Sequence, residues 1–112
     1  MKKDGIVISE SGIKSWYANG ELHREDGPAV DYGDGAHAWY LNGKPHRVDG
    51  PAIYGFGDDA ESWYSKGKLH REDGPAVIED DIRQWYLYGV QLTEQQHADA
   101  LGMCRKSKVK PL

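Results

Sequence analysis

Apolar and polar residues alternate along this chain in short runs broken by glycine and aspartate. Pro28-Ala29-Val30-Asp31-Tyr32, then Gly33-Asp34-Gly35, then Ala36-His37-Ala38-Trp39-Tyr40 reads as strand, turn, strand. Residues 51–54, 55–59 and 60–64 repeat the scheme with a longer tip. Residues 75–79, 80–81 and 82–87 repeat it with a shorter one, and an earlier hairpin over residues 6–17 turns at Glu10-Ser11-Gly12. Glycine and aspartate supply the positive φ that tight tips need. Proline opens three of the strands, where a missing N–H can fall outside the ladder.

Between the hairpins runs one recurring phrase, Trp-Tyr-x-Asn-Gly-x-x-His-Arg-x-Asp-Gly-Pro-Ala. It spans Trp16 to Ala29, Trp39 to Ala52 and, slightly altered, Trp63 to Ala76; Trp85-Tyr86 begins it a fourth time. The distance from Trp to Asp is ten residues in every copy, while Asp-Gly to the next Trp varies. One half of the unit is therefore a connector of fixed geometry, crossing from one hairpin to the next, and the other half tolerates insertion. Adjacent Trp and Tyr point to opposite faces of a strand. The small Ala29, Ala52 and Ala76 leave room for a ring, so the tryptophans are expected to form the core and the tyrosines to be half-exposed.

The fold expected is mainly β: an elongated, twisted, single-layer antiparallel sheet of four consecutive hairpin repeats over residues 1–92. Eight strands about 4.8 Å apart give a sheet roughly 34 Å long. Thr93-Glu94-Gln95-Gln96 has the form of a capping box, which predicts a short capping helix over 93–104 with Gly102 near its end. Leu92, Leu101 and Met103 should face the last hairpin and shield its edge. Residues 105–112 form a basic tail with no pattern.

The repeated phrase resembles the MORN-repeat superfamily, in the variant whose units carry His-Arg-x-Asp-Gly-Pro-Ala. The resemblance covers residues 4–92. It implies successive hairpins in one sheet, with protein or lipid-headgroup binding and scaffolding in place of a shared catalytic activity. The variant is similar to repeats found in phage, giant-virus and bacterial proteins. This chain departs from it at Lys66, at Pro45 and in its helical end.

Charge changes the picture next. The chain of 112 residues has a formal charge of -4, but four of its 14 bases lie in the last eight positions, which hold no acid. The remainder carries ten bases against 18 acids, a net of -8. That balance disfavours direct nucleic-acid binding and a lipid-headgroup role, and suits a basic partner. The single cysteine, Cys104, permits no internal disulfide, and no run is long enough for a secretory signal or a membrane span. An intracellular, cytoplasmic protein is expected, in the host cytoplasm if virus-encoded.

His23, His46 and His70 each stand three residues before an aspartate, which invites a His/Asp-dependent hydrolase or nuclease. Recurrence at identical offsets argues instead that these residues serve the unit. The histidines are expected to bond backbone groups, and Asp26, Asp49 and Asp73 to cap their own turns. Histidines two strands apart are too distant to share one zinc ion, and no cofactor motif is present. The candidate partner-binding residues are acids at or beside three successive tips: Asp31 and Asp34; Asp58, Asp59 and Glu61; Glu79, Asp80 and Asp81. Stacked hairpins line them along one edge as an acidic ridge. The tyrosine row of Tyr17, Tyr40, Tyr64 and Tyr86 is a second candidate surface. The function expected is a non-enzymatic protein-binding module, in its narrowest form a virus-encoded inhibitor of a basic nucleic-acid-binding or defence-nuclease protein. The alternatives are an assembly subunit that dimerises through its first strand, Ile6 to Ile8, and the hydrolase.

Overall fold

The computed structural model describes residues 4–56 and 59–106. The first unit holds β1 (Gly5–Ile8), β2 (Lys14–Ala18) and β3 (Glu21–Leu22). The second holds β4 (Val30–Asp31), β5 (His37–Ala38), β6 (Tyr40–Leu41) and β7 (Lys44–Pro45). The third holds β8 (Ile53–Tyr54), β9 (Glu61–Ser62), β10 (Tyr64–Ser65) and β11 (Lys68–Leu69). The fourth holds β12 (Val77–Glu79), β13 (Ile82–Leu87) and β14 (Val90–Leu92), followed by helix α1 (Glu94–Lys106). The main sheet runs β1-β2-β4-β5-β8-β9-β12-β13-β14, antiparallel throughout, so the expected meander of hairpins is present. Its register aligns Val7, Ser15, Val30, Ala38, Ile53, Ser62, Val77 and Gln84 in one row across the sheet.

The fixed half of the unit is itself a hairpin rather than a bare crossover. Asn19-Gly20 joins β2 to β3 with φ of 54° and 82°, and Asn42-Gly43 joins β6 to β7 with 51° and 78°. Two consecutive positive φ angles make the turn type that matches strand twist. Lys66 (φ 51°) and Tyr88 (φ 49°) hold the same position without the short polar side chain that favours it. Tyr88-Gly89 thus completes a ribbon in the fourth unit, β13 with β14.

Each of the first three tryptophans is the pivot between the two ribbons of its unit. Trp16, Trp39 and Trp63 donate their N–H to the carbonyls of Ala29, Ala52 and Ala76 at 2.7, 2.6 and 2.7 Å. Their own carbonyls accept from the N–H of His23, His46 and His70. β3 and β4 both pair with β2, whose other edge is taken by β1. The His-Arg-x-Asp-Gly-Pro segment between them is therefore an excursion that leaves its lane in the sheet and returns to it. Equivalent excursions follow β7 and β11.

The expected tryptophan core is corrected. The buried apolar residues are small: Ala29, Ala52 and Ala76 at 0 % exposure, with Ala36, Ala38 and Val30. All four tryptophans are half-buried, as are Tyr17, Tyr40, Tyr64 and Tyr86. A single layer whose least dimension is 19 Å cannot enclose a ring on both sides, so only residues at the closest backbone approaches are sealed. The longest extent is 60 Å. The roughly 34 Å expected counted eight strands alone, whereas the path holds nine strands and the helix adds its own width at the end.

The helix starts as its sequence predicts. Gln96 N–H donates to Thr93 Oγ1 at 3.0 Å, and Thr93 N–H donates to Gln96 Oε1 at 2.9 Å. It passes through Gly102, which does not end it, and runs on to Lys106, two residues beyond the expected 104 and into the first two residues of the expected tail. His97, 4 % exposed, donates from Nε2 to the Arg71 carbonyl at 2.6 Å and fixes α1 to the third excursion. The side chain of Met103 lies outside the described residues, as does the tail over 107–112.

Candidate functional site

The excursions share one internal clamp. The guanidiniums of Arg24, Arg47 and Arg71 lie over the rings of Trp16, Trp39 and Trp63 at 4.1, 4.1 and 3.8 Å. Each Nε donates to the aspartate two residues on, at 3.1, 3.2 and 2.8 Å. Each Nη1 donates to the carbonyl of Pro28, Pro51 or Pro75. A Cβ added at Gly27, Gly50 or Gly74 would meet the guanidinium carbon at 2.9, 2.8 or 2.9 Å. These glycines are absent from the positive-φ set and are needed for room. The aspartates, expected to cap their own turns, serve the arginine instead. The Arg71 hydrogen bond holds the Asp73 carboxyl below the usual carboxylate range, against a smaller desolvation effect. The aspartates' side chains are 79–89 % exposed, so each ion pair contributes at most about 1 kcal/mol.

The histidines bond backbone, as expected. Nδ1 of His23, His46 and His70 accepts the N–H of Asn42, Lys66 and Tyr88 at 3.0, 2.9 and 2.9 Å, each in the turn of the next unit. Nδ1 must be unprotonated to accept, so the proton lies on Nε2. Asp4 fills this role for the turn of the first described unit: Asn19 N–H donates to its Oδ1 at 2.7 Å. The aspartates do not pair with these imidazoles. Nε2 of His23 lies 3.6 Å from Glu25, and that of His70 3.4 Å from Glu72; the middle unit has Val48 there. Among the described residues no group of three His, Cys, Asp or Glu side chains is placed to hold a metal ion.

Between successive excursions lie grooves, each with a tryptophan at its floor. Arg24 and Asp26 face Arg47 and Asp49 across Trp39, around about 470 Å³. Arg47 and Asp49 face Arg71 and Asp73 across Trp63, around about 640 Å³. Asp73 and Pro75 face His97 and Leu101 across Trp85, around about 430 Å³, so α1 stands where a fourth excursion would. Val48, 85 % exposed, borders the first two grooves. Repetition of the phrase was visible in the sequence, but nothing in it marked the spaces between copies.

The acidic tips fall at the same end of successive hairpins, along one edge. Asp31 Oδ1 accepts Gly33 N–H at 2.9 Å, and Asp34 Oδ1 accepts Ala36 N–H at 3.2 Å. Asp59 (φ 54°) accepts the Tyr54 hydroxyl at 3.0 Å; that bond and the Asp59 charge push the Tyr54 hydroxyl pKa up. Glu61 accepts Trp63 Nε1 at 3.0 Å. The equivalent indole nitrogen of Trp39 is buried with no partner among the described residues. Glu79, Asp80 and Asp81 are exposed, with Arg83 Nη1 donating to the Asp80 carbonyl at 3.1 Å. Asp58 lies outside the described residues. The register also does what the sequence did not foretell: it sets Lys14 opposite Asp31. Of the expected tyrosine row, Tyr40, Tyr64 and Tyr86 lie near one another. Burial, with Tyr40 and Tyr86 alongside, raises the Tyr64 pKa.

Comparisons of the chain with protein-family models, with curated proteins and with solved structures find no match. No helix among the described residues is long and apolar enough to cross a membrane.

Proposed function

We propose that the protein is a non-enzymatic binding module of the MORN-like kind, acting in the cytoplasm, and that its acidic edge engages a basic protein partner. The observation that carries this reading is how the His-Arg-x-Asp residues are used. In all three units the imidazole Nδ1 accepts a backbone N–H, and the aspartate accepts from arginine. The residues that resemble an acid–base pair are committed to the array. The tips carry no such shared geometry, and charge there steers encounter with an oppositely charged surface. The narrower form is a virus-encoded inhibitor whose carboxylates take the place of nucleic-acid phosphates in a host protein's groove. It draws on the resemblance of the repeated phrase as well as on charge.

The test is recovery of partners from native-host lysate, using wild-type protein and a variant with Glu79, Asp80 and Asp81 changed to Lys. Wild-type protein is expected to retain basic proteins that the variant loses, with retention falling as salt rises. Equal recovery by both removes the acidic edge from the account.

A further inference from the structure

We propose that the open first strand is a pairing site for a second copy of this chain, giving a reversible two-fold dimer centred on Val7. The two ends of the sheet differ. At the far end β14 is followed by α1, which packs on β13 and β14. At the near end β1 has β2 on one side, and no described residue pairs with its other side. All four residues of β1 are exposed, Ile6 at 55 %, Val7 at 38 % and Ile8 at 61 %. The strand reads Gly-Ile-Val-Ile, without the charge, proline or bulge that normally blunts a sheet edge.

The hydrogen-bond phase of β1 decides which groups face outward. Ser9 N–H donates to the Ile13 carbonyl at 2.9 Å. Bonded and non-bonded pairs alternate along an antiparallel ladder, so Val7 with Ser15 and Gly5 with Tyr17 are bonded pairs. Ile6 with Trp16 and Ile8 with Lys14 are then the non-bonded pairs. Trp16 agrees, since its N–H and carbonyl are engaged on the opposite edge of β2, by Ala29 and His23. The amides and carbonyls of Ile6 and Ile8 therefore point out of the sheet edge.

A two-fold axis through Val7, perpendicular to the sheet, matches these groups to themselves. Ile6 meets Ile8 of the second copy and Ile8 meets its Ile6, giving about four backbone hydrogen bonds. Because the axis preserves the faces, the isoleucines of both copies gather on the Trp16 side and the two Val7 side chains on the Tyr17 side. The contact is isologous. The other ends carry helices, so assembly closes at two copies. A four-residue strand buries far less than the roughly 1,200–2,000 Å² of a stable interface, so the dimer is weak and concentration-dependent. Extending the register brings Asp4 toward Glu10 of the second copy at both ends. Each copy also carries a formal charge of -4, and this mutual repulsion makes association stronger in high salt, the opposite of what a basic partner strand would show.

Sedimentation of the full chain between about 20 µM and about 1 mM, at low and high salt, is expected to show mass rising toward the dimer. The rise should be larger in high salt, with a longest dimension about twice 60 Å. Ile8→Pro removes an outward N–H and leaves the β1–β2 bonds intact; it is expected to stay monomeric with an unchanged tryptophan spectrum. In a Cys104→Ser background, Val7→Cys is expected to form an intermolecular disulfide in a glutathione redox buffer. Ser9→Cys, displaced along the strand in this register, is not. A concentration-independent monomer, association weakened by salt, or a dimer indifferent to Ile8→Pro would overturn the proposal. Should Ile8→Pro fail to fold, the two cysteine variants decide: equal cross-linking, or none from Val7→Cys, rejects the register.

Discussion

The two halves of the repeating unit behave oppositely. In the excursion half, three copies reproduce the same clamp within a few tenths of an ångström: arginine over tryptophan, arginine to aspartate, histidine to the next turn. In the tip half, the polar contacts differ from hairpin to hairpin. Asp31 and Asp34 bond local amides, Asp59 holds a tyrosine, Glu61 holds an indole, and Arg83 reaches a carbonyl. An arrangement that returns with each unit is one that stacking requires. An arrangement that changes is free to be shaped by something outside the chain.

The strongest break in this contrast is Trp39→Ala, which removes the surface beneath Arg47 and the pivot's ring. Because the ring is half-buried, the loss should lie near the low end of tryptophan truncations, about 3 kcal/mol in urea unfolding. Asp81→Lys at a tip, exposed and outside the left-handed region, should stay within about 0.5 kcal/mol. Next come His23→Ala, His46→Ala and His70→Ala. Each leaves a turn N–H without its acceptor and should cost about 1–3 kcal/mol, with similar values in the three copies. His46→Asp should recover part of the loss, since Asp4 already performs that task for Asn19. One variant losing function while all three keep their melting temperature would return the catalytic reading.

Gly50→Ala should cost about 1–2 kcal/mol by displacing the Arg47 guanidinium from its ring and its carboxylate. In an Arg47→Ala background the same change should cost almost nothing, a coupling that a double-mutant cycle measures. Lys66→Asn should stabilise by about 0.5–1 kcal/mol, since asparagine tolerates the left-handed φ of 51° that lysine now holds. The smallest effect is the pH dependence of Asp73. Its folded pKa is lowered by Arg71, so its contribution is complete above the ordinary carboxylate pKa. That contribution is lost as pH falls through the lowered value. Asp73→Asn should lower the melting temperature slightly at neutral pH, through loss of at most about 1 kcal/mol, and the difference from wild type should vanish as pH falls through that window.

Much of the fold was legible because it is written locally. The Asn-Gly pairs, the proline-led strands and the Thr93 capping box each act through residues a few positions apart. The backbone role of the histidines was legible from recurrence alone. The partner of each aspartate was not. Its turn position suggested self-capping, whereas the arginine two residues earlier, brought over the tryptophan by the returning chain, takes the carboxylate. The glycine beside it was equally misleading, because steric room and positive φ leave the same letter in a sequence.

The amino-acid order alone determined that one hairpin-based unit recurs, where its turns fall and where a helix closes the series, because turn chemistry and capping are short-range. Only the tertiary structure decided that alanines, not indoles, are sealed from water, since that depends on sheet thickness. Register likewise decided that Lys14 stands beside Asp31, and hydrogen-bond phase decided that Ile6 and Ile8 turn their amides outward. Both are properties of strands paired across distance, which no single stretch of chain encodes.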